Sequence, residues 1–124
     1  MHEYPKSVRL LRPTEFRRVY DNGQKYSCPL FAAFSHPQAD TTQTEHARFG
    51  FTTPRALGKA VKRNRIRRRL RECVRLRKER FPAGLDIVFN PRKSMLDADW
   101  SEVESQVERY IERLNRANKV STPS

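Results

Sequence analysis

Apolar residues along this 124-residue chain recur at helical spacing in some stretches and at strand spacing in others. Phe16, Val19 and Tyr20 stand at i, i+3 and i+4, which predicts a short helix with one apolar stripe, capped by Thr14 and stopped at Asn22-Gly23. From Tyr26 to Phe34 the even positions Tyr26, Cys28, Leu30, Ala32 and Phe34 alternate with Ser27, Pro29, Phe31 and Ala33. That period of two predicts one strand, with Pro29 at its edge or entry and Tyr26 and Phe34 on a shared face. A polar, Pro-bearing connection over 36–46 then leads to a second strand over 47–53, which places Phe49 and Phe51 on one side and ends at Pro54. Residues 60–81 contain neither Gly nor Pro and lie between Gly58 and Pro82, so a long helix is predicted, with Ile66, Leu70, Cys73 and Val74 as its apolar stripe. Leu85 to Asn90 reads as a short strand closed by Pro91. Asp99 or Ser101, each with a glutamate three residues on, can cap a last helix whose apolar face runs through Trp100, Val103, Val107, Tyr110, Ile111 and Leu114. Periodicity stops at Asn118, so 118–124 is expected to be a flexible C-terminal tail on a domain of residues 1–117. This order of elements predicts one α+β domain.

Composition narrows the function. Hydrophobic residues make up 36% and charged residues 32% of the chain, and its aromatics suit a folded domain rather than a disordered one. No apolar run reaches the length of a membrane span and the N-terminus has no signal-like apolar core, which predicts a cytoplasmic protein with no membrane partner. Cys28 and Cys73 lie far apart without metal-ligand spacing and read as small buried side chains, while His2, His36 and His46 read as solvated. No metal site is expected on the protein.

Charge changes the picture most. The chain carries 26 Lys and Arg against 14 Asp and Glu, a net +12. Residues 55–80 hold thirteen of the basic groups and only Glu72 and Glu79 among the acidic ones, so +11 of the excess sits in that segment. Arg63, Arg67, Arg71 and Arg75 repeat at i, i+4, a like-charge spacing that disfavours an isolated helix by a few tenths of a kcal/mol per pair. A polyanion is the natural compensating partner. On a helical projection Asn64, Arg67, Arg68, Arg71 and Arg75 form a basic arc beside the apolar stripe, with Arg63 at its border and Arg65 and Arg69 on the opposite flank with Glu72. A solvated charged face with snorkelling stems is the competing reading. Phe16, Tyr20, Tyr26, Phe34, Phe49 and Phe51 each read singly as core residues; taken together they read as a stacking surface for unpaired bases.

The segment FGFTTPRALGKAVKRNRIRRRLRECVR resembles the protein subunit of bacterial ribonuclease P. The family signature is an apolar residue, Ala three on, then Arg-Asn-basic-apolar-basic-Arg; Leu57, Ala60, Arg63, Asn64, Arg65, Ile66, Arg67 and Arg68 match it. The resemblance extends over roughly 10–115. It departs just before the signature, where two adjacent basic residues are common and this chain has Arg55 and Ala56 after Pro54.

The resemblance implies a mixed four-stranded sheet packed with three helices in the order α-β-β-β-α-β-α, with a left-handed β-α-β crossover against the usual handedness. It further implies an RNA-binding subunit that assists endonucleolytic removal of the 5′ leader from precursor tRNA. Arg63, Asn64, Arg65, Arg67, Arg68 and Arg71 would meet the catalytic RNA, and Phe16, Tyr20 and Phe34 would line a cleft for the leader. The RNA, with Mg²⁺ bound mainly through it, would carry out the chemistry, so no catalytic residue and no small-molecule substrate are expected of the protein. The alternative is a structural RNA-binding protein of ribosomal type with no part in processing.

Overall fold

A computed structural model describes residues 12–38 and 46–121. His2 and most of the polar connection over 36–46 lie outside them. The elements are α1 (Pro13–Asn22), β1 (Gln24–Ser27), β2 (Phe31–Pro37), β3 (Arg48–Phe51), α2 (Ala60–Arg75), β4 (Leu85–Pro91) and α3 (Trp100–Ser121), with short 3₁₀ turns at Arg55–Leu57, Lys78–Arg80 and Lys93–Leu96. The strands form one sheet in the order β1-β2-β4-β3. β1 with β2 and β2 with β4 are antiparallel, whereas β3 and β4 are parallel and joined through α2. The four-stranded mixed sheet and three helices follow the order that the resemblance implies.

The stretch 26–34 corrects the strand reading. It is not one strand but the turn of a hairpin: β1 ends at Ser27, β2 starts at Phe31, and Tyr26 pairs with Ala33. Pro29 sits in that turn, which Arg92 and Ser94 hold through the carbonyls of Cys28 (3.0 Å) and Pro29 (2.6 Å). The reversal puts Tyr26 and Phe34 on opposite faces. Tyr26 stacks on Tyr110 at 4.7 Å between ring centroids, while Phe34 meets Tyr20 edge-on at 4.9 Å.

Helix boundaries shift for local reasons. Thr14 lies inside α1 rather than capping it, because Pro13 stands at the first helical position and the Arg12 N–H donates to Glu15 Oε1 at 2.9 Å. α2 is shorter than predicted, ending at Arg75 before the chain turns through Lys78–Arg80. Asp99 opens α3, its carbonyl accepting from the Glu102 and Val103 amides. The helical backbone runs to Ser121, past the point where apolar periodicity stops.

Alternation on the strands gives the sheet two different faces. One carries Phe31, Ala33, Phe49, Ile87 and Phe89, which pack against Ile66, Leu70, Cys73 and Val74 of α2 and Val103, Val107, Tyr110, Ile111 and Leu114 of α3. Phe49 and Phe51 share this face, as predicted. Trp100, placed on the same apolar stripe by sequence, sits at the exposed start of α3. The other face carries Val88 and Phe34 and is covered in part by Val19, Phe16 and Tyr20 of α1. None of the helices among the described residues is long and apolar enough to cross a membrane.

Candidate nucleic-acid interface

The aromatic residues divide between the two faces. Tyr26, Phe49 and Phe51 belong to the main core, so the broad stacking surface reduces to Phe16, Tyr20 and Phe34, all half-buried on the α1 side. Phe16 and Tyr20 are 6.5 Å apart, edge to face. Gly50 lets Phe16 pack closely on β3, since a Cβ there would lie 2.6 Å from the ring. Lys25 reaches over the Phe34 ring at 5.8 Å, adding a cation to this small surface.

Four charged residues dock α1 on the sheet. Asp86, fully buried on β4, accepts a bidentate pair from Arg48 (2.8 and 2.9 Å) and a further hydrogen bond from Arg18. Arg48 also donates to Glu15 at 3.0 Å. Burial pushes the Glu15 carboxyl up, but the Arg12 amide and the Arg48 guanidinium outweigh it and hold Glu15 below its ordinary range. His36 is not simply solvated, because its Nδ1 lies 2.9 Å from Arg18. This network carries the helix that presents Phe16 and Tyr20, and the sequence pattern gave no sign of it.

An open cleft of about 540 Å³ lies beside Tyr20 at the carboxyl ends of β3 and β4, lined by Tyr20, Thr52, Thr53, Pro54, Asn90 and Pro91. Tyr20 Oη donates to Asn90 Oδ1 at 2.7 Å, and Thr52 Oγ1 donates to the same oxygen. Residues 52–54 lead from this cleft through the turn Arg55–Leu57 to α2, which packs on the opposite face of the sheet.

Along α2 the thirteen basic residues of 55–80 separate by role. Arg65, Arg67 and Arg68 are exposed, as are Lys59, Lys62 and Asn64. Arg65 and Arg68 make no hydrogen bond or ion pair with other described residues, and Arg67 donates to Asn64 Oδ1 at 2.9 Å. Arg63 is half-buried, its Nε without a partner among the described residues. Arg71 is half-buried and engaged within the fold, which sets it apart from the exposed arginines.

The other arginines work internally. Arg69 donates to the carbonyls of Met95 (2.6 Å), Leu96 (3.0 Å) and Ala98 (2.6 Å), holding the turn Lys93–Leu96 against α2. Arg75 pairs with Glu72 at 2.6 Å. Arg77 pairs with Glu104 at 2.8 Å and Glu108 at 3.0 Å. Glu104 and Glu108 therefore tie α3 to α2. Among the described residues no three His, Cys, Asp or Glu side chains converge as metal ligands would. Burial raises both thiols, Cys73 to about 12, so neither is an activated nucleophile.

Known proteins resemble this chain in sequence and in fold. The sequence model of the family described as Ribonuclease P matches residues 4–115. The chain is 31% identical to the ribonuclease P protein component of Herpetosiphon aurantiacus, over 96% of this chain and 94% of that protein. It is 37% identical to that of Chloroflexus aggregans, over 95% and 83% respectively. The fold superposes on the ribonuclease P protein of Thermotoga maritima with a TM-score of 0.73 and 27% identity, covering 84% of this chain and 96% of that one. The Staphylococcus aureus ribonuclease P protein gives a TM-score of 0.69 at 25% identity, covering 94% and 100%.

Proposed function

Because this chain belongs to the ribonuclease P protein family, we propose that it binds the catalytic RNA of that enzyme and the 5′ leader of precursor tRNA. The observation that carries the proposal is the division of cations along α2. Arg69, Arg75 and Arg77 are satisfied inside the fold, whereas Arg65, Arg67 and Arg68 remain exposed along the middle turns of the helix. Concentrated, exposed guanidinium groups suit RNA phosphates through bidentate contacts. Arg63 and Asn64 lie in the same turn; Arg71, being engaged within the fold, contributes through the field of the helix more than as a free fork.

The half-buried aromatics Phe16, Tyr20 and Phe34 suit a single strand, because an unpaired base offers a π-face for stacking that a duplex conceals. A protein that merely braced folded RNA would need the basic helix but not this cleft. The chemistry is assigned to the RNA. The protein's described residues offer no convergent ligand set for Mg²⁺, so in this reading the ion is held by RNA oxygens, and the protein screens RNA from RNA and captures the leader in the cytoplasm.

Reconstitution with the cognate catalytic RNA tests the proposal. Adding the protein should lower the Mg²⁺ and salt needed to cleave precursor tRNA and should tighten precursor over mature tRNA. A protein that binds the RNA without altering cleavage or leader-dependent affinity would favour the ribosomal-type alternative.

A further inference from the structure

The cleft beside Tyr20 contains a hydrogen-bond arrangement with a definite polarity. Tyr20 and Thr52 have one hydroxyl proton each, and three oxygen contacts link them with Asn90. Both protons go to Asn90 Oδ1, and the remaining contact, Tyr20 Oη to Thr52 Oγ1, is the longest at 3.3 Å. Two donors saturate the two lone pairs of an amide oxygen. Asn90 is half-exposed and lines the cleft, and its Nδ2 donates to no other described residue. The amide oxygen is therefore occupied while two N–H donors are left for a ligand.

We infer that Asn90 reads one leader nucleotide as a donor-only side chain, selecting a keto base, guanine or uracil, over an amino base, adenine or cytosine. The inference rests on the leader-binding reading above and names the chemistry of that same cleft. An asparagine that recognises adenine through two hydrogen bonds must offer one donor and one acceptor, and here the acceptor is already committed. Guanine presents O6 and N7 as adjacent acceptors, and uracil presents carbonyl oxygens. Where guanine carries O6 and uracil O4, adenine and cytosine carry amino groups, which at that position would set a donor against the Asn90 amide donor. The Tyr20 ring, held by the same hydrogen bond, supplies a neighbouring surface for the base. Asn90 is thus a specificity residue, with Thr52 as the positioning residue that fixes its orientation.

The test uses holoenzyme reconstituted from this protein and its catalytic RNA, with a pool of precursor tRNAs randomised through the leader. Relative kcat/KM is read for each base at each leader position. Wild type should favour guanine and uracil at one position by about tenfold, the order expected for one well-placed base contact. Asn90→Asp is isosteric and keeps an oxygen for Tyr20 and Thr52, but it turns the free donors into an acceptor; the preference should reverse towards adenine and cytosine. A wild-type arm needs no variant: inosine, which keeps O6 and N7, should replace guanine at that position without loss, and 2,6-diaminopurine, which lacks O6, should lose about tenfold. An unchanged base profile in Asn90→Asp, or equal rates with inosine and diaminopurine, overturns the inference. If wild type is indifferent to base identity yet still binds precursor more tightly than mature tRNA, the inference fails and the leader reading stands. If wild type ignores the leader altogether, both fail.

Discussion

Gly50 and Phe16 show how the site depends on contacts between single residues. A methyl group at position 50 would meet the Phe16 ring at 2.6 Å, so Gly50→Ala must push the ring off the sheet or move α1. Overpacking of this kind costs about 1 to 3 kcal/mol; a urea melt should show that loss, and precursor tRNA should bind more weakly. Unchanged stability would mean that Phe16 has room to move. Phe34 stands edge-on to Tyr20 on the same surface. Phe34→Ala should weaken precursor tRNA by the worth of a stacked base, about 1 to 3 kcal/mol, while leaving mature tRNA nearly unaffected. Equal losses for both substrates would assign Phe34 to packing alone. These aromatics were legible in the sequence because their helix spacing and family positions mark them. Asn90 and Thr52 were not, since a lone polar residue at a strand end carries no pattern until the fold brings it beside Tyr20.

At the scale of the element, α2 could be read as basic, but its arginines could not be sorted by role. The apolar stripe Ile66, Leu70, Cys73 and Val74 is buried as its spacing predicts. Nothing in the spacing distinguishes Arg65, which is exposed, from Arg69 one turn on, which is bound to three carbonyls. The partners of Arg69 lie more than twenty residues away in sequence, so only tertiary structure reveals them. The two arginines should therefore respond oppositely to replacement. Arg65→Ala with Arg68→Ala should leave the fold intact, weaken binding to the catalytic RNA and make its salt dependence shallower, by up to about one unit of log-log slope per lost phosphate contact. Arg69→Met should cost about 1 to 3 kcal/mol of stability by stripping carbonyls of a charged donor, with little change in that slope. The hairpin is the element the sequence misread. Residues 26–34 alternate without interruption, and Pro29, which fits either an edge strand or a turn, does not decide between them.

For the whole molecule, the distribution of charge explains both how the parts are held together and what the protein leaves to its partner. α1 is fastened by Glu15, Arg18, Arg48 and Asp86. Because Glu15 is held below its ordinary range when folded, its contribution is complete above the unfolded value, about 4.3, and is lost as the pH falls through the lower folded value. Acid melts should show α1 loosening in that window, with the loss blunted in Glu15→Gln; a parallel pH dependence in that variant would remove Glu15 from the account. At the opposite end, α3 is tied to α2 through Arg77 and the row Glu104 and Glu108. Their ion pairs give them a reason to exist without any metal: Arg77 is largely buried, and a guanidinium there needs acceptors. Glu104→Gln and Glu108→Gln should then lower stability by about 1 kcal/mol each, since both carboxylates are partly exposed and their pairing is screened. If the RNA carries the chemistry, the same variants, and Glu112→Gln beside them, should leave the single-turnover cleavage rate at saturating holoenzyme within a few fold of wild type, and the protein alone should cleave nothing at any Mg²⁺ concentration. A loss of several orders of magnitude in any one of them, with the fold and RNA binding intact, would place a carboxylate of the protein in the reaction and overturn the division of labour between protein and RNA.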